Sequence, residues 1–308
     1  MSTACTGVKK THTVPAALVR PLLEATAEEL VTRYNQQARA IQSLNARIEI
    51  RTETGSAYSG VIDTYRQVNG FVLAQKPASI RMIGQAPVVA SNIFDMVSDG
   101  ETFRIFIPPK SKFIVGPTRL ERPTGKPLEN LRPQHLVDAL FWPELPAASE
   151  AEGPKASAPV LFEEFNAIPE RYYILTLVSP GPPAQIARKI WFDRADLSVV
   201  RIETFAAGGR LEGDIRYADW QPAGDLRYPR EIVLSRPHDD YTLNLHITRL
   251  TLNEEISADR FHLEQPPGVE LIKVGDEPTI ESPTTEKPAA KKPASEKPSN
   301  EKPTVKPS

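Results

Sequence analysis

After Leu44 the apolar residues stop recurring every three or four positions and begin to alternate one by one. Ala46, Ile48 and Ile50 are set against Arg47, Glu49 and Arg51. That alternation marks a half-buried strand, and it returns almost to the end of the chain. Further strands are predicted in YSGVIDTYR, FVLAQ, SIRMIG, NIFDMVS, TFRIFIP, KFIVG, VLFEEF, RYYILTLVS, ARKIWFDRADLSVVRIETFA, GDIRYADW, YPREIVLSR and YTLNLHITRLTLN. Gly55-Ser56 permits a turn after the first strand, Asp99-Gly100 predicts a type I′ hairpin, and Pro108-Pro109-Lys110-Ser111 separates the next pair. No βα repeat lies between the strands, which argues against a parallel nucleotide-binding sheet. Sequential hairpins imply a mostly antiparallel meander. The expected fold class is mainly β with covering helices, built on one strongly curved sheet of roughly ten strands, because curling helps to enclose an apolar face.

Two helices are available as covers. TAEELVTRYNQQARAIQSL opens on a capping box, Thr26 with Glu29, and its Leu30, Tyr34, Ala38 and Ile41 make one apolar stripe along a helix from 26 to 44. Pro133 stands at the start of a shorter helix, QHLVDALF, with Leu136, Val137 and Leu140 on one side. The stretch WPELPAASEAEGPKASAP reads as an exposed loop with room for a mobile element. Two modest helices cannot seal so wide a sheet wall to wall, so the interior holds either packed side chains or a ligand. Both readings stay open for the helix stripe and for a cavity wall of Ile48, Ile50, Phe94, Met96, Phe103, Ile105, Phe192, Leu243, Leu245 and Ile247. Trp191 and Phe192 are neighbours on a strand and face opposite ways; alternation with Ile190 turns Phe192 inward.

Composition narrows the function classes. The 308 residues carry a formal charge of -2, and the arginines are scattered singly, which does not suit a nucleic-acid binder. From Glu281 to Ser308 proline recurs at 283, 288, 293, 298 and 303 without an aromatic residue, the composition of an extended, disordered spacer. No run of apolar residues is long enough to span a bilayer. His12, His135, His238, His246 and His262 stand far apart, with no metal-ligand spacing, nucleophile elbow or phosphate loop. Neither a cofactor nor a metal is expected, and the chain does not read as an enzyme.

The only cysteine, Cys5, follows the small residues Ser2-Thr3-Ala4 and precedes a polar, flexible stretch. This pattern resembles the processing site of a bacterial lipoprotein, although Ser2 stands where leucine is usual and no basic and apolar export segment precedes it. A start codon placed too far downstream would explain that absence. A stray N-terminal cysteine is the other reading. The organisation expected is a leader or tether over 1–25, a single domain over 26–275 and a tail over 276–308 rich in Pro, Lys and Glu.

Three segments in order, ATAEELVTRYNQQARAIQSLNARIEI, RKIWFDRADLSVVRIE and ISADRFHLEQPPGVELI, resemble the corresponding parts of the LolA/LolB-like family, the periplasmic lipoprotein carrier and its outer-membrane receptor. The resemblance implies an unclosed antiparallel β-barrel whose helical lid covers a cavity for acyl chains. It also implies a latching arginine, for which Arg47 and Arg51 are the nearby candidates, unless their alternation puts them on the solvent face. The function so implied is an envelope lipoprotein that binds acyl chains of lipids or lipoproteins, in lipoprotein sorting or outer-membrane lipid trafficking. It would sit at the periplasmic face of the outer membrane, lipid-anchored through Cys5, with a tail that either reaches another envelope protein or the cell wall or merely solubilises. The alternative is a structural or envelope-stress-sensing module on the same fold.

Overall fold

The computed structural model describes residues 21–56, 61–64, 67–87, 91–118, 132–145, 160–167 and 169–274. Cys5, most of the expected loop after Trp142 and the proline-rich tail lie outside the described residues. The period-2 segments form one sheet. Its first half comprises β1 (Ser43–Ser56), β2 (Val61–Thr64), β3 (Val68–Gln75), β4 (Ser79–Gln85), β5 (Asn92–Ser98), β6 (Thr102–Ile107) and β7 (Lys112–Pro117). The second half comprises β8 (Val160–Ala167), β9 (Glu170–Ser179), β10 (Gln185–Asp193), β11 (Val199–Ala206), β12 (Arg210–Ala223), β13 (Leu226–Arg236) and β14 (Tyr241–Leu252), followed by the short β15 (Glu270–Lys273). The strands lie in the order β15-β7-β6-β5-β4-β3-β1-β14-β13-β12-β11-β10-β9-β8, with β2 also on β1.

This order corrects the expectation of an unclosed but strongly curved antiparallel barrel of roughly ten strands. Among the described residues the sheet has 15 strands, it is not strongly curled, and its terminal strands β15 and β8 do not pair with each other. Nor is it purely antiparallel, because β15 runs parallel to β7. The physical reason is that two hairpin meanders join through the single pairing of β1 with β14. Each meander then ends in an edge, so the apolar face is closed by helices and not by strand closure.

The principal cover is α1 (Ala27–Ala40). Its capping box is formed: the Thr26 backbone N–H donates to Glu29 Oε2 at 2.8 Å, and the Glu29 N–H donates to Thr26 Oγ1 at 3.2 Å. The helix stops at Ala40, earlier than the expected 44, since Ile41 is already extended and β1 begins at Ser43. Its last carbonyls are nevertheless satisfied. Lys76 donates to the Ala38 carbonyl, Gln42 to Arg39 at 2.6 Å, and Asn253, in a left-handed conformation, to Ala40 at 2.7 Å.

The second cover is α2 (Pro133–Leu140), with Leu136, Val137 and Leu140 buried. The sheet itself caps its C-terminus: the Tyr217 hydroxyl donates to the Ala139 carbonyl at 3.0 Å and the Tyr228 hydroxyl to the Leu140 carbonyl at 2.8 Å. The segment after it, 142–145, is tied to α1 by Arg39, whose Nε donates to Glu144 Oε2 at 2.6 Å, and by the buried Asn35. Asn35 donates through Nδ2 to the Leu145 carbonyl at 2.8 Å and accepts the Leu145 N–H through Oδ1 at 2.7 Å. Both residues are buried.

The Asp99-Gly100 turn also departs from expectation. Only Gly100 has positive φ, and the Asp99 carboxylate accepts the N–H groups of Glu101 and Thr102 at 2.9 and 2.8 Å. A type I′ turn needs positive φ at both central residues, so the connection is a longer loop organised by the aspartate.

Asn35→Ala strips a buried N–H and a buried carbonyl of their partner at once. A loss of about 2–4 kcal/mol is expected, read as a lower urea midpoint with the slope of the transition unchanged.

Candidate functional site

The expected stripe on α1 is buried in full: Leu30, Tyr34, Ala38 and Ile41 are each no more than 5% exposed. Opposite it on the sheet, Ile48, Ile50, Met96, Phe103, Phe192, Leu243, Leu245 and Ile247 are buried as well. All of these but Phe103 belong to one continuous apolar core, and Phe94 and Ile105 pack against it half-buried. Phe94 lies across its cross-strand partner Gly84, where a Cβ would fall 2.3 Å from the ring, so glycine is required there. Arg47 and Arg51 are exposed, and Arg47 stands over the Phe71 ring at 5.1 Å; neither reaches α1 as a latch.

A cavity of about 350 Å³ opens beside the second half of α1, where the helix meets the turn between β10 and β11 and the hairpin of β12 and β13. Of the expected site residues it gathers Tyr34 and Phe192. The rest of its apolar lining includes Trp142, Leu197, Val199, Trp220 and Leu226. Trp142 organises this wall: it stacks on Tyr34 at 5.4 Å between centroids, meets Tyr217 edge-on at 5.4 Å and tilts against Trp220 at 5.8 Å. The Trp220 indole N–H donates to the Val199 carbonyl at 3.1 Å, which fixes the opposite side.

The rim is polar and tied down. Arg33 donates to the Asp196 carbonyl at 3.2 Å, Gln37 to the Arg227 carbonyl at 2.6 Å, and Arg227 to the Asp196 carboxylate at 3.2 Å. These bonds hold α1 to both neighbouring turns. Leu197, in the cavity lining, has φ of 59°, a left-handed conformation costly for a leucine. The arrangement offers apolar surface and stacking faces.

Two features of the inner face escape the sequence patterns. Tyr34 is 1% exposed, and its hydroxyl has no hydrogen-bond partner among the described residues. Burial raises its pKa, while the Arg188 guanidinium, close enough to act on it, pulls the other way. Arg188 shares a face of β10 with Ile190 and Phe192, opposite Leu177 and Thr204. Its place two residues before Ile190 was a legible signal. The second feature is His135 on α2, whose Nδ1 is hydrogen-bonded to the buried Tyr241 hydroxyl. Burial first, then the charges of Arg236 and Arg132, hold the imidazole down to about 3.

Among the described residues no helix is long and apolar enough to cross a membrane, and no group of three His, Cys, Asp or Glu residues is placed to hold a metal ion. No family model matches the chain, and no curated protein matches it. Among solved structures it is similar to a LolA superfamily protein of Nitrosomonas europaea, 14% identical, over 78% of this chain and 99% of that one, with a TM-score of 0.46. It is similar also to a DUF1329 family protein of Desulfovibrio piger, 12% identical, over 76% of this chain and 95% of that one, with a TM-score of 0.46. Likeness at this distance carries no argument about ligand or activity.

The neutral His135 has a consequence for acid stability. The unfolded chain takes up a proton at this residue near pH 6.5 and the folded chain only near 3, so below 6.5 the unfolded state binds more protons. Stability present at neutral pH is therefore lost as pH falls through that window, by up to about 1.4 kcal/mol per pH unit from this residue. Urea midpoints measured across the window should fall with pH in the native protein and fall less steeply in His135→Gln. An identical slope in the variant would place the acid sensitivity elsewhere.

Proposed function

We propose that this chain is a non-catalytic envelope protein that takes an acyl chain of a lipid or lipoprotein into the aromatic-lined cavity beside α1. Its role would lie in lipoprotein sorting or outer-membrane lipid trafficking. The observation that carries this reading is the cavity itself: about 350 Å³, walled by the rings of Tyr34, Trp142, Phe192 and Trp220, with Arg33, Gln36, Gln37, Ser198, Asp225 and Arg227 also in its lining. Ligand pockets run from about 300 to 1,000 Å³ and are mostly apolar with few polar groups. Each methylene drawn out of water contributes about 0.8 kcal/mol, set against the cost of ordering the chain. Such binding requires no nucleophile and no proton transfer. The three segments that resemble the LolA/LolB-like family in sequence favour an acyl ligand over other apolar molecules. Lipidation at Cys5, attachment at the periplasmic face of the outer membrane, and a single domain over 26–275 with a spacer behind it belong to the same proposal.

One observation favours a second reading, a structural or envelope-stress-sensing module without transport. The side chains beneath α1, from Leu30 to Ile41 and across to Ile48, Met96 and Leu243, already fill the interior. The two readings divide on whether the cavity accepts a hydrocarbon chain.

Displacement of the fluorescent probe N-phenyl-1-naphthylamine by dodecanol should report binding. Ala40→Trp, which sets an indole into the lining, should weaken it at least tenfold with an unchanged circular dichroism spectrum. Failure of the native protein to take up probe or alcohol, together with empty protein by native mass spectrometry after purification from the envelope, would leave the second reading.

A further inference from the structure

One buried polar atom without a well-formed hydrogen bond lies where the proposed ligand site meets the core. Tyr34 lines the cavity, its hydroxyl is buried, and Arg188 is the polar side chain close enough to act on it. Leaving such a group unpaired is costly, and replacement by phenylalanine would remove the cost without changing the packing. The other large buried tyrosines differ. Tyr217, Tyr228 and Tyr241 each bond a backbone carbonyl or His135.

Arg188 is anomalous in the complementary sense. Five arginines of the sheet's second half are paired: Arg194 with Glu164, Arg201 and Arg216 with Asp214, Arg227 with Asp196, and Arg236 with Asp239. Arg188 stands on the inner, apolar face instead, half-buried between Leu177 and Thr204, with no carboxylate within salt-bridge distance among the described residues. Its charge acts on the hydroxyls of Tyr34 and Tyr217. On the same face Phe192 lies four residues on, roughly 13 Å at the rise of a strand, and belongs to the cavity lining. The guanidinium thus acts on a hydroxyl of the cavity lining from just outside that lining, and no carboxylate is paired with it among the described residues.

We infer that Arg188 and Tyr34 form the head-group subsite of the cavity and bind the carboxylate of a fatty acid, whose hydrocarbon tail runs past Phe192 toward Trp220. The guanidinium fork matches a carboxylate in a bidentate manner, and the tyrosine hydroxyl donates to the same oxygen pair. Burial keeps that hydroxyl protonated and able to donate, and the nearby cation offsets the effect only in part. This inference rests on the acyl-binding reading above and narrows it to chains that carry an anionic head.

The test compares dodecanoate with methyl dodecanoate, which has the same tail and no charge, as displacers of N-phenyl-1-naphthylamine from the full chain. The native protein should prefer the carboxylate at least tenfold. Arg188→Gln should bring that ratio to within about twofold, an electrostatic head-group contact being worth at least a factor of ten. Tyr34→Phe should lower the ratio while the urea midpoint holds or rises, a combination that a purely structural hydroxyl would not produce; it also serves if Arg188→Gln does not fold. Equal affinity for both ligands in the native protein, or a preference that survives both substitutions, overturns the inference and leaves the acyl-binding reading standing. Displacement by neither ligand overturns both.

Discussion

An open sheet with one greasy face must be covered, and here a buried asparagine joins the parts of the cover to one another. Asn35 replaces a strand neighbour for Leu145, giving and taking the hydrogen bonds that another backbone would supply. Through it α1, the 142–145 segment and α2 act as one lid of side chains over the sheet. Trp142 is thereby set against Tyr34, Tyr217 and Trp220. The wall of the candidate cavity is thus a by-product of how the apolar face is sealed. Removing the clamp costs more than two hydrogen bonds would suggest, because both groups of Leu145 would be left buried.

The helix ends follow the same economy. Tyr217 and Tyr228 rise from the sheet to meet the last carbonyls of α2, while Lys76 and Asn253 meet those of α1. Each bond fixes a helix terminus and orients an otherwise awkward polar group on or beside the inner face. The buried Tyr34 hydroxyl lacks such a bond, as do Arg194 Nε and Arg230 Nη1, and of these three residues Tyr34 alone lines the cavity.

Local rules made much of the fold legible. The Thr26–Glu29 box, the Leu30–Tyr34–Ala38 stripe, the inward alternation of Ile48, Phe192 and Leu243, and the proline at the start of α2 depend only on neighbours in sequence, and each is present. Curvature was not legible. How far a long meander curls depends on contacts across the whole sheet, and β15 and β8 carry no local mark of how far apart its ends lie. Asn35 read as one polar residue on a polar helix face, because its partner lies 110 residues away. Trp142 and Trp220 sat in segments read as a loop and a strand end, and only the fold brings them to one wall. For Arg188 the period was plain, but a charged residue on an apolar face was easily passed over.

The junction of β1 with β14 bears on how the molecule is made. Ser43 meets Glu254 across 211 residues of chain, so this seam cannot form until the chain has been made through β14. Until then the nascent first meander presents β1 as a bare, alternating edge, which invites intermolecular strand addition. Contacts of such sequence separation also slow the search for the native pairing.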